Sequence, residues 1–150
     1  MTLKDIIARI EGVAAAQPSV NMIVRQDVFR INDAVQKRYG LFAWVQRRHT
    51  TSVRSSLMDY SFVFYYVDRL TESRDNMTDI HSAGIRTLDN IIRQVADGEV
   101  VSVDDPYSFN VAIQRFVEDC GVVYAEVTFS AKLDGVCAEE FETNDNVIII

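Results

Sequence analysis

A chain of 150 residues, 48% apolar and 25% charged, is long enough for one domain with a real core and unlike a disordered, collagenous or disulfide-stapled protein. Its formal net charge of −7 counts against a dedicated nucleic-acid binder. No run approaches the roughly 18 apolar residues of a membrane span and no signal core follows Met1, so synthesis in the cytoplasm is expected.

At the start, Thr2 with Asp5 three residues on has the form of a capping box, and Leu3, Ile6, Ile7, Ile10 and Val13 recur at helical spacing. Pro18 ends that helix, since its ring cannot continue the hydrogen-bond ladder. Residues 20–24 read as a short strand. Residues 27–37 read as a short helix with Val28, Ile31 and Val35 on one side.

From Leu41 to Gln46 and again from Ser61 to Val67, residues of both parities are apolar, aromatic or β-branched, the pattern of strands covered on both faces. The polar, basic stretch between them has neither Gly nor Pro. The two runs form a long β-hairpin whose arms extend beyond the sheet. Asn76 is the expected cap of a helix bearing Ile80, Leu88, Ile91, Ile92 and Val95, and Gly98 its terminating glycine. Residues 99–103 and 108–117 are short strand candidates. In the last strand Val123, Ala125, Val127, Phe129, Ala131 and Leu133 alternate with polar neighbours, so one face is buried and the other wet.

These elements predict an α+β fold: a single domain over residues 1–138 with a mixed, mostly antiparallel sheet, a long β-hairpin, an N-terminal helix and a central helix. Residues 139–150 form an acidic tail ending in the apolar Val147, Ile148, Ile149 and Ile150. Four such residues require a receiving surface, either the protein's own sheet or a neighbouring subunit by strand addition.

No P-loop, dinucleotide fingerprint, HExxH or nucleophile elbow is present. Cys120 and Cys137 lack metal-ligand spacing and read as free thiols, and the lone His49 and His81 read as solvated. The expectation is a protein that is not an enzyme, with no catalytic, cofactor-binding or metal-binding residues. Charge is the more informative feature. Residues 1–58 hold nine Lys or Arg against four Asp or Glu, whereas residues 98–150 hold two against eleven. A chain basic at one end and acidic at the other offers unlike surfaces to successive copies. Arg47, Arg48, His49 and Arg54 form the one basic cluster, and with Val147–Ile150 they are the candidate contacts to subunits or to a DNA channel.

Four segments, PSVNMIVRQDVFRIND (18–33), KRYGLFAWVQRRHT (37–50), YSFVFYYVDRLTESRDN (60–76) and RFVEDCGVVYAEVTFSAKLDGVC (115–137), resemble a small structural protein of tailed phages and prophages of Bacteroidales, including crAss-like phages. Asp68–Glu72 (DRLTE) and Asp119–Val122 (DCGV) carry the resemblance most specifically. The order of elements is also similar to tail-terminator and neck proteins. The resemblance implies a virion ring of six or twelve copies at the head-to-tail connector, contacting portal, neck and tail proteins around DNA that passes without being read. It implies no cofactor and no membrane. Two other readings are an adaptor or regulator that binds a host protein through the basic hairpin, and a small enzyme using Cys120 or a histidine.

Overall fold

The computed structural model describes residues 1–25, 39–47, 57–115 and 118–132. Among these residues two helices pack on a six-stranded mixed sheet. The elements are α1 (Leu3–Ala15), β1 (Met22–Arg25), β2 (Leu41–Gln46), β3 (Leu57–Arg69), α2 (Met77–Val95), β4 (Val101–Val103), β5 (Phe109–Arg115) and β6 (Asp119–Lys132). The expected α+β single domain is the one observed. The short helix expected at 27–37 and the tail at 139–150 lie outside the described residues.

Strand order is β1-β2-β3-β6-β4, with β5 also on β6. Among the described strands only β1 with β2 is parallel. The spine is the 13-residue ladder from Leu57↔Lys132 to Arg69↔Cys120. The hairpin register runs from Leu41↔Val67 to Gln46↔Phe62. Its arms are unequal, because β3 continues past β2 while still paired with β6, so that arm lies within the sheet and does not extend free of it. β4 and β5 lie end to end along the other side of β6.

The alternation read from sequence sorts the sheet faces. Phe42, Trp44, Tyr60, Phe62, Phe64, Tyr66, Val123, Ala125, Val127 and Phe129 face the helices and pack with Ile6, Ile10, Leu88, Ile91 and Ile92 in the main core. Phe64 lies edge-on to Phe42 at 5.2 Å, a favoured aromatic geometry. A smaller cluster of Val24, Leu41, Ala43, Val67, Cys120 and Val122 is buried on the opposite face. β2 is therefore buried on both parities, as its composition required.

Thr2 caps α1 as expected: its Oγ1 accepts from the Asp5 N–H, and the Asp5 carboxylate accepts from the Thr2 N–H at 2.8 Å. Asn76 does not cap α2 with its side chain. Its Oδ1 accepts from the Thr71 N–H and its Nδ2 donates to the Arg69 carbonyl, so the amide ties down the turn after β3 instead. Gly98 lies three residues beyond the end of α2 with φ at +80°, turning the chain toward β4; it does not end the helix.

Asp97 organises that turn. Its Oδ1 accepts from the N–H groups of Glu99, Val100 and Val101 at 2.8–2.9 Å, and Arg9 of α1 pairs with Oδ2 at 3.3 Å. The Val101 N–H foremost, then those of Val100 and Glu99 and the Arg9 charge, hold the carboxyl down at about 2. A depressed carboxylate stabilises the fold above its unfolded pKa of about 3.9 and loses that contribution as pH falls through its folded value. Asp97→Ala is expected to cost about 1–2 kcal/mol at neutral pH, as loss of a capping acceptor does. The gap between parent and variant, followed by thermal denaturation, should close between about pH 4 and pH 2; a gap unchanged across that range would refute the role.

Candidate interaction surface

The described residues hold no group of three metal-ligating side chains. A cleft of about 250 Å³ between the Gln17–Ser19 turn and α2 is lined by Gln17, Pro18, Ser19, Ala83, Arg86, Thr87 and Asn90. Its one charge is Arg86, and Ser19 and Thr87 share a hydroxyl hydrogen bond of 2.6 Å.

Cys120 is fully buried, and burial first, then the charges of Glu118, Asp68 and Asp119, push its thiol up to about 11. A thiol held protonated at neutral pH is a poor nucleophile. Around it the Arg69 guanidinium pairs with Glu118 at 2.9 Å and lies over the Tyr39 ring, whose hydroxyl donates to Glu118. Arg74 pairs with Asp119 at 3.3 Å. This cluster fastens the β6 start to the β3 end. His81 contacts the Ala112 carbonyl at 3.3 Å through Nε2, half-buried between α2 and β5 rather than solvated as expected.

Of the eight contact candidates named from sequence, only Arg47 falls within the described residues; Arg48, His49, Arg54 and Val147–Ile150 lie outside them. Arg47 stands at the end of β2, its N–H donating to the Ser61 carbonyl. Its guanidinium pairs with Glu126 of β6 at 2.8 Å, with both side chains more than half exposed. An exposed pair of this kind contributes about 0–1 kcal/mol.

The feature missed in the sequence is the outer edge of β5. α2 sits over β3 and β6 at Gly84, where an added Cβ would lie 2.6 Å from Val123 Cγ2 and 2.8 Å from Tyr66 Cδ1. The helix layer so placed leaves the far strand bare: Val111 is 50% and Ile113 42% exposed, although both lie on the helix-side face opposite Val123 and Gly121. Ile85, also exposed, lies on α2 between His81, which reaches Ala112, and Asp89, which accepts from Tyr107 Oη at 2.8 Å. Among the described residues no strand pairs with the outer side of β5. The opposite edge, β1, is four residues long and ends at Arg25, which is clamped to Glu11 by two bonds of 2.6 Å. Natural edges are blunted by such shortness and charge; β5 has seven residues, no Pro, no Gly and no charge before Arg115. In the sequence the signal is the run Asn110–Gln114, two aliphatics around an alanine between two amides.

No protein-family model matches this sequence, and a search of curated proteins finds no match.

Proposed function

We propose that this chain is a structural subunit that works through its contacts, a ring-forming component of the head-to-tail connector of a tailed phage. The observation that carries the contact reading is the β5 edge, unpaired among the described residues, with Val111 and Ile113 exposed. A seven-residue bare strand is a liability for a protein that acts alone and an asset for one that assembles. The described candidate nucleophile, Cys120, is sealed and protonated, which agrees with a role that needs no turnover. The resemblance noted in the sequence supplies the kind of assembly: copies of this chain joined to portal, neck and tail proteins, with DNA passing unread through the centre. The chain's negative total suits a passage along which DNA must slide.

The test is location. Particles are dissociated and fractionated, and the chain is sought by mass spectrometry with the neck and tail components. Its presence there supports the reading; early synthesis and absence from particles would favour a host-binding adaptor. Reversing Arg47 and Arg48 to Glu is expected to shift the melting temperature little, since the Arg47 pair is exposed, while weakening association between subunits with a strong salt dependence. Unchanged particle yield and genome delivery in that variant would remove both residues from the contact.

A further inference from the structure

We propose that the β5 edge pairs with the β5 edge of a second copy, antiparallel, about a two-fold axis through Ala112. The backbone phase comes first. Leu70 N–H donates to the Asp119 carbonyl, so the odd-numbered residues of β6 exchange hydrogen bonds with β3. Asp104 N–H donates to the Thr128 carbonyl and Lys132 N–H to that of Val100, so the even-numbered residues bond toward β4 and β5. With Ala112 opposite Val122, the Ala112 amide groups point inward. Those of Phe109, Val111, Ile113 and Arg115 point outward.

One antiparallel register uses all four of these residues. Val111 meets Ile113 of the second copy and Phe109 meets its Arg115, each as a hydrogen-bonded pair, and Ala112 meets its own copy as a non-hydrogen-bonded pair. The side chains agree with this register independently. Asn110 then faces Gln114 on the open face, Val111 faces Ile113 on the helix-side face where both are exposed, and the smallest residue lies on the axis. No like charges oppose, because Arg115 meets Phe109. The result is one sheet continuous across two copies, with the exposed Ile85 of each on the side of the joined aliphatic pairs.

This inference names the partner of the edge on which the proposed function rests. The contact is isologous and closes at two copies, beside the heterologous contact that a ring requires. A β5-linked dimer absent from particles would keep the inference and remove that function, whereas a particle component whose β5 edges never meet would do the reverse.

The experiment is disulfide trapping in the full chain. Ala112→Cys, in a Cys137→Ser background, puts two thiols across a non-hydrogen-bonded pair, where Cα atoms about 4.5 Å apart lie within the range that a disulfide spans. Mild oxidation at tens of micromolar is expected to convert most of the protein to a covalent dimer. Adding Val111→Lys and Ile113→Lys, at positions exposed in the single copy, should lower the trapped fraction at least tenfold with the circular dichroism spectrum and melting unchanged. Trapping no faster than a Glu72→Cys control, or equal trapping in the lysine variant, would overturn the pairing. Trapping that appears only once residues 147–150 are deleted would assign the edge to that segment and would overturn it as well.

Discussion

Replacing Phe64 by alanine is expected to lower stability by about 3–5 kcal/mol, the range for emptying a buried aromatic site. Phe64 is fully buried in the middle of the longest ladder and touches three other rings: Phe42 at 5.2 Å, Phe129 at 6.0 Å and Phe62 at 6.1 Å between centroids. The stack joins β2, β3 and β6, so its removal loosens the three strands that hold every other element. Against a total stability of roughly 5–15 kcal/mol, the loss places the variant near its unfolding threshold. Urea denaturation should show a much lower midpoint with an unchanged slope. A loss under about 1.5 kcal/mol would mean that neighbouring rings collapse into the space, and would contradict the packing described.

Gly84→Ala is expected to destabilise by about 1–3 kcal/mol even though alanine is the better helix former. In a helix interior that exchange ordinarily gains about 0.5–1 kcal/mol. Here the added methyl would meet Val123 Cγ2 at 2.6 Å and Tyr66 Cδ1 at 2.8 Å, closer than carbon atoms approach, so α2 or the buried side chains beneath it must shift. Gly84→Val should be worse still. Gly12 in α1 is the internal control, because nothing lies within 4 Å of a Cβ built there, and Gly12→Ala should stabilise by about 0.5–1 kcal/mol. Opposite signs at two helical glycines, read by thermal melting, separate packing from propensity. Two gains would show that α2 does not sit close on β3 and β6, and with that would go the reason β5 is left uncovered.

Where local chemistry decided the outcome, the sequence was readable. Alternation in β6, double-sided burial in β2, the Thr2 and Asp5 box and the arrest of α1 before Pro18 each depend on residues a few positions apart. Asn76 was misread because the groups it satisfies, at Arg69 and Thr71, belong to a turn whose needs no pattern announces. His81 was misread as solvated because Ala112 reaches it from 31 residues away through the β5–β6 pairing. The open edge was hidden for the same reason. That β4 and β5 share one side of β6, and that α2 leaves Val111 and Ile113 of β5 exposed, are properties of strand order and of the close approach at Gly84, not of the strand itself.

The proposed contact role rests on the fold and on the charge pattern together. Among the described residues the outer side of β5 is unpaired with Val111 and Ile113 exposed, and the sequence is basic over residues 1–58 and acidic over residues 98–150. The most direct measurement is the mass of the purified full chain by sedimentation equilibrium at tens of micromolar, alone and mixed with the portal, neck and tail proteins proposed as its partners. The account predicts species heavier than the 17.0 kDa chain; a strict monomer under both conditions would contradict it.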